Sequence, residues 1–109
     1  MTDADIEEVF ASLGEVTIKR LFGGKGIYHR GVIVAVVVDD ELLLKADAQT
    51  EPRFRAAGAS QWTYDFKRGK STGMPYWTIP AEAVDEPDLM AHWVRLAFEA
   101  GCRSRPQKR

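Results

Sequence analysis

The stretch Val32–Val38 constrains the fold of this chain most strongly, because all seven of its residues are apolar. Side chains alternate between the two faces of a β-strand. Strict alternation divides the stretch into two sets: Val32, Val34, Val36 and Val38 on one face, and Ile33, Ala35 and Val37 on the other. A strand that is apolar on both faces must be covered on both. We therefore predict a central strand with helices on one side and a second layer, or a second chain, on the other.

Apolar spacing, together with the positions of glycine and proline, predicts three helices and six strands. Their order is α-β(4)-α-β(2)-α, which is typical of an α+β fold with an antiparallel sheet of about six strands. We expect the helices to lie mainly on one face of the sheet. Asp85 is the predicted N-cap of the last helix and Gly101 its end, while Pro75 should confine the last strand to a sheet edge or a strand end.

Three helices, one of them very short, are few for a sheet whose central strands are apolar on both faces. Uncovered apolar surface of this kind usually marks an interface. Because most soluble oligomers are symmetric homo-oligomers, we predict a homodimer.

The length of 109 residues fits a single domain that closes one core without metal or disulfide staples. We predict that residues 1–102 form this domain and that residues 103–109 are a basic, flexible tail. The lone Cys102 and the polar, acidic first eight residues indicate a reducing cytoplasm. No apolar segment approaches the roughly 18 residues of a membrane span.

Charge is distributed unevenly along the chain. The formal net charge is −1, but four of the 15 cations lie in the last seven residues, so residues 1–102 carry a net charge of −5. Nucleic-acid binding by a main surface needs cations clustered on one face. This composition therefore favours an acidic domain whose main surface does not bind phosphates.

Five cations are nevertheless candidate contacts for an anion or a nucleic acid. Lys67, Arg68 and Lys70 lie in a predicted loop beside serine and threonine hydroxyls, and Arg103 and Arg105 belong to the tail. A solvated loop and a frayed terminus are the simpler interpretations, because so few cations neutralise few phosphates. Direct nucleic-acid binding through these residues is our alternative hypothesis for the function.

Motifs for catalysis, metals or cofactors are incomplete. Gly24-Lys25-Gly26 lacks the third glycine and the following helix of a dinucleotide-binding loop, and Gly69-Lys70-Ser71-Thr72 lacks the first glycine of a P-loop. His29, His92 and Cys102 have no metal-ligand spacing. We therefore predict no catalytic residue, metal ligand or cofactor, although a deep pocket joining Cys102 to either histidine would favour an enzyme.

Several separated segments resemble one known family, in its order, over roughly residues 10–101. They are Arg20-Leu21-Phe22-Gly23-Gly24-Lys25-Gly26-Ile27-Tyr28, Leu42-Leu43-Leu44-Lys45, Met74-Pro75-Tyr76-Trp77-Thr78-Ile79-Pro80, and Trp93 with Ala97. Together they resemble the N-terminal domain of the TfoX (Sxy) competence-regulator family. The resemblance implies a secretion-chaperone-like α+β fold and a role in bacterial transcription regulation beside a DNA-bound activator. We expect a stand-alone copy of this domain, without the helical C-terminal domain of the competence regulators.

The residues of these motifs are expected to do structural work: Arg20, Phe22, Gly23, Gly24, Gly26, Lys45, Pro75, Tyr76 and Pro80. We expect the three glycines to form a turn that few other residues can adopt. Arg20 and Lys45 should be cations on neighbouring strands. Pro75 and Pro80 should bracket an edge strand and keep it from pairing with other sheets.

Our first hypothesis for the function is a non-catalytic regulatory or adaptor domain. It would act by protein–protein contact, through a sheet edge or a dimer surface, on a partner such as the transcription machinery.

Overall fold

A computed structural model describes residues 1–21, 23–66 and 70–104 of the chain. The helices are α1 (Asp3–Val9), α2 (Glu51–Ala56) and α3 (Pro87–Ser104), and the strands are β1 (Thr17–Leu21), β2 (Gly24–His29), β3 (Val32–Val38), β4 (Glu41–Lys45), β5 (Gln61–Phe66) and β6 (Lys70–Thr78). A short 3-10 helix, Ala81–Ala83, precedes α3. The predicted element order is confirmed.

The six strands form one antiparallel sheet in the order β1-β2-β3-β4-β6-β5. The main core lies between this sheet and the helices, where Ile6 and Phe10 from the first helical segment, Phe54 from α2 and Trp93 from α3 are buried. The helices therefore cover one face, as expected for this α+β fold. β3 is interior, which confirms the prediction made from its apolar sequence.

Local signals begin and end the first two helices. Thr2 caps α1 through a reciprocal capping box with Asp5, and the Asp5 hydrogen bonds lower the pKa of its carboxyl group. Lys25 of β2 donates to Asp3 at 2.7 Å, so β2 is tied to the start of α1. After α2, Gly58 has a positive φ of 84°, which suits glycine at a helix end.

The two-face division of β3 differs from strict alternation. Ile27 pairs with Ala35 but Tyr28 pairs with Ile33, which leaves Val34 as an extra residue in β3. A bulge of this kind turns two consecutive side chains to the same face. Val34, Ala35 and Val37 consequently pack in the helix-side core, whereas Val36 packs in a separate cluster on the opposite face. The prediction that Val34 and Val36 share a face is wrong.

The glycine segment is also built differently from the expected turn. Gly23 alone of the three motif glycines has a positive φ, of 74°, whereas Gly24 and Gly26 belong to β2. A Cβ on Gly24 would lie 1.9 Å from the carbonyl oxygen of Val37 on the adjacent strand. Gly24 is thus required for a close backbone approach and not for its φ.

Gly101 does not end the last helix. α3 continues to Ser104, and Gly101 is buried where the helix crosses β3. A Cβ there would lie 2.4 Å from the carbonyl oxygen of Ile33 and 2.6 Å from Cγ1 of Val32. The helix also begins at Pro87, which makes Glu86 its N-cap residue, so the N-cap predicted at Asp85 is one residue early.

β6 is an interior strand, so Pro75 does not mark a sheet edge. The β4–β6 pairing ends at Lys45 and Tyr76, and the carbonyl oxygen of Pro75 accepts a hydrogen bond from the amide of Ala46 just beyond it. A proline at the end of a ladder costs little, because few further bonds depend on its missing N–H. Pro80 follows the strand as a buried residue that leads into the 3-10 helix.

Candidate functional site

The face of the sheet opposite the helices is the candidate site, and we call it the open face. Its centre is a buried cluster that is separate from the main core: Val36, Leu43 and Tyr76. Half-buried apolar side chains pack around this cluster: Leu21, Ile33, Val38, Trp62 and Met74. The sheet is therefore apolar on both faces, as predicted from β3.

The cluster is covered by side chains of the open face itself. Val36 is only 1% exposed and Leu43 only 4%, although the described helices pack on the other side. Gly26 leaves space here, since a Cβ on it would lie 2.9 Å from Cδ2 of Leu21 and 3.1 Å from Cε1 of Tyr28. Gly26 thus leaves room above β2 for the side chains of Leu21 and Tyr28.

Lys45 is the charged residue at the centre of this face. It pairs with Tyr76 on the adjacent strand, and its Nζ lies 5.1 Å from the centroid of the Tyr76 ring. Lys45 is only 9% exposed. Burial lowers the pKa of its ammonium group, and the charge of Asp47 opposes that shift only in part.

Tyr28 extends the aromatic surface toward the other edge of the sheet. The Nζ of Lys19 lies 5.4 Å from the Tyr28 ring centroid, the same pairing of a lysine with a tyrosine that Lys45 makes. Burial raises the pKa of Tyr76, and the neighbouring Tyr28 phenol adds to the effect. Two lysines and two phenols therefore share one side of an otherwise acidic chain.

A shallow groove runs along one end of the open face. The side chains that line it come from four strands, β3, β4, β5 and β6, and include Val38, Glu41, Leu43, Trp62 and Thr78. Residues two apart on a strand share a face. Glu41 therefore lies on the open face together with Leu43 and Lys45 of β4. The groove thus places a carboxylate between apolar and aromatic walls.

Arg20 and Lys45 are not neighbours. β1 and β4 are separated by two strands, a distance of about 14 Å at the usual spacing. Arg20 also lies two residues after Ile18 and shares its face of β1, which is the helix side, whereas Lys45 is on the open face. The expectation of adjacent cations on neighbouring strands is wrong.

The candidate anion contacts fall into two groups. Lys67, Arg68 and Arg105 lie outside the described residues, as does Phe22 of the family motif, and Lys70 is the first residue of β6. Arg103 lies in the last turn of α3, where its Nε and Nη2 donate to the two carboxylate oxygens of Asp47 at 2.6 and 3.1 Å. These hydrogen bonds lower the pKa of Asp47. Anion binding by these five residues stays a prediction.

The remaining reactive side chains lie apart from the open face. His29 is buried on the helix side, with Nδ1 2.8 Å from the carbonyl oxygen of Glu15 and its ring against Phe98. Cys102 is exposed near the end of α3. Among the described residues no three histidines, cysteines or acids are grouped to hold a metal ion. No helix in the described part of the chain is both long and apolar enough to span a membrane.

The sequence did not predict the pairing of lysines with tyrosines on the open face. The sequence contained part of the signal, because Tyr28 and Lys19 each follow an apolar residue, Ile27 and Ile18, and adjacent strand residues lie on opposite faces. The partner of Lys45, however, is Tyr76, which lies 31 residues further along the chain.

These features define a two-layer α+β domain, with helices on one face of an antiparallel sheet and a second apolar cluster on the other. The family model for the TfoX N-terminal domain matches residues 8–101. The chain therefore belongs to the TfoX N-terminal domain family, as its motifs suggested. No curated protein matches the sequence.

Proposed function

We propose that this protein is a non-catalytic regulatory or adaptor domain that acts by protein–protein contact through the open face. The observation that carries the proposal is the second apolar cluster, bordered by the half-buried Ile33, Val38 and Trp62. Patches that combine aromatic and aliphatic side chains with a few charges are typical of protein interfaces.

The polar side chains support a non-catalytic role. His29 and Asp47 both carry out structural tasks, since each holds a loop or a helix end through hydrogen bonds. Tyr76 is part of the apolar cluster on the open face, and the ammonium group of Lys45 lies over its ring. A chain that uses its titratable groups in this way is better suited to recognition than to proton transfer.

The resemblance to competence regulators supports transcription regulation, in a bacterial cytoplasm, as the cellular process in which this protein acts. The TfoX N-terminal domain match supplies the family for this part of the proposal. The partner is then a protein of the transcription machinery, which would be held by the domain without direct DNA contact.

The test compares one open-face variant with one matched variant elsewhere. Val38→Glu puts a charge on the open face, and Val84→Glu makes the same change at a 61% exposed valine next to α3. We expect the first variant to reproduce the transcript changes caused by deleting the protein in its native host. The second variant should match the wild type, with the folding of both checked by circular dichroism.

Two results would contradict this proposal. One is an unchanged transcriptome after deletion. The other is saturable binding of the purified protein to duplex DNA that is lost in the triple variant Lys67→Ala, Lys70→Ala and Arg68→Ala, with the steep salt dependence of phosphate contacts. That second result would instead support the nucleic-acid hypothesis.

A further inference from the structure

Lys45 is buried without an ion pair, and the nearby charge of Asp47 offsets its desolvation only in part. It is nine-tenths buried, and no carboxylate in the described part of the chain forms an ion pair with its Nζ. Burying an ammonium group without a counter-charge is costly, because the ring of Tyr76 replaces only part of the lost hydration. The open face therefore contains a cation that is suited to receive a carboxylate from outside.

Glu41 is the complementary group on the same strand. It is exposed on the open face and makes no ion pair with any described residue. It lies four positions before Lys45, a distance of about 13 Å along β4, and the buried Leu43 lies midway between them. β4 thus presents an acid, an apolar centre and a cation in a line.

The residues Glu41, Leu43 and Lys45 are complementary to the same three residues on a β4 strand that runs in the opposite direction. Two such sheets can be stacked about a twofold axis that lies between them, perpendicular to β4 and level with Leu43. Rotation about this axis makes the second β4 antiparallel to the first. The operation places each Glu41 opposite the Lys45 of the other copy and brings together the half-buried side chains that surround the two buried Leu43 residues, such as Val38 and Trp62. Isologous contacts of this type are the commonest in homodimers, and stacked sheets are about 10 Å apart, within reach of these long side chains.

We infer that the open face is closed by a second copy of this chain, with the two β4 strands antiparallel and Lys45 of each copy paired with Glu41 of the other. This inference rests on the proposed use of the open face as a protein-contact surface and names its occupant. The groove beside Glu41 supports it, since Val38, Leu43 and Trp62 provide apolar walls for a lysine stem.

The test is a charge exchange measured by analytical ultracentrifugation. Wild type should sediment as a dimer with twice the 12.2 kDa mass of the chain at micromolar concentration. Lys45→Glu and Glu41→Lys each create two like-charge contacts per dimer and should raise the dimer Kd by at least about 30-fold. The double variant restores opposite charges and should return the Kd to near the wild-type value.

Two further variants keep the test decisive. Arg95→Glu reverses an exposed charge on α3 and should leave the Kd unchanged. If Lys45→Glu fails to fold, Lys45→Met keeps the apolar stem, removes the charge and should weaken the dimer while the dilute protein keeps its Tm.

A monomeric wild type at 100 µM overturns the inference, as does a double variant that stays as weak as the two single ones. Failure of the two proposals is distinguishable. If the wild type is a monomer but Val38→Glu still reproduces the deletion, the open face serves a different protein and only the dimer inference fails.

Discussion

Gly24 shows that a motif residue can be required for reasons that its sequence context does not reveal. The glycine-rich segment predicted a turn with unusual backbone angles, but only Gly23 has a positive φ. Gly24 and Gly26 are strand residues that allow close approach, to a backbone oxygen in one case and to side chains in the other. A clash with backbone is harder to relieve than one with the end of a flexible side chain.

We predict that Gly24→Ala lowers the free energy of unfolding by about 2 to 3 kcal/mol, because its Cβ would meet the carbonyl oxygen of Val37. Gly26→Ala should cost less than about 1.5 kcal/mol, since Leu21 and Tyr28 can shift their side-chain ends. Urea denaturation of the two variants measures the difference. Equal losses would show that the approach of β2 to β3 is not the constraint.

Lys45 illustrates the opposite case at this scale, a residue that was predicted to lie in a strand but whose environment was not predicted. Its alternation with Leu44 places it on the face away from the helices. Its burial depends on Tyr76, which the fold brings alongside. Pairing of distant strands therefore decided that this lysine became an interior cation.

Among the elements, α3 and β3 make a contact that depends on one small residue. Gly101 is buried at their crossing, directly over the backbone of Ile33. Helices pack closely on a sheet where side chains are small, so this glycine sets how near the helix can lie. The sequence pattern predicted a helix end at Gly101, because glycine is common after the last turn of a helix.

We predict that Gly101→Ala destabilises the protein by about 2 kcal/mol, even though alanine favours helix by about 1 kcal/mol over glycine. The reason is the 2.4 Å distance between the added Cβ and the Ile33 carbonyl oxygen. Arg95→Ala, at an exposed site of the same helix, should change stability by less than about 0.5 kcal/mol. Thermal unfolding compares them, and a stabilised Gly101→Ala would disprove the close-contact explanation.

For the whole molecule, the ion pair between Asp47 and Arg103 joins the segment after β4 to the last turn of α3, across 56 residues of chain. Asp47 also accepts hydrogen bonds from the amides of Gln49 and Thr50, so one carboxylate organises the start of α2 as well. Arg103 thereby belongs to the packed domain and not to a free tail.

This ion pair predicts a pH dependence of stability. Hydrogen bonds from Arg103 lower the pKa of Asp47 below its ordinary value of 3.8. A folded pKa below the unfolded one means that the contribution is complete above about pH 4 and is lost as the pH falls through the lowered pKa.

Asp47→Asn should therefore reduce the free energy of unfolding by about 1 to 2 kcal/mol at pH 6 and by much less at pH 2. Glu7→Gln, at an exposed acid of α1, should show no such difference. Urea denaturation at both pH values measures the two gaps. A deficit of Asp47→Asn that is the same at both would contradict the assignment.

The kinds and order of the elements were determined by the sequence alone, because caps, turns and apolar periodicity act over a few residues. Thr2, Gly58 and the valine run of β3 are examples, and they were sufficient for the α+β class and for an interior β3. The tertiary structure decided which faces these elements present. The bulge at Val34, the interior position of β6 and the burial of Lys45 all depend on pairing between strands, and a local pattern contains no information about a partner that lies tens of residues away.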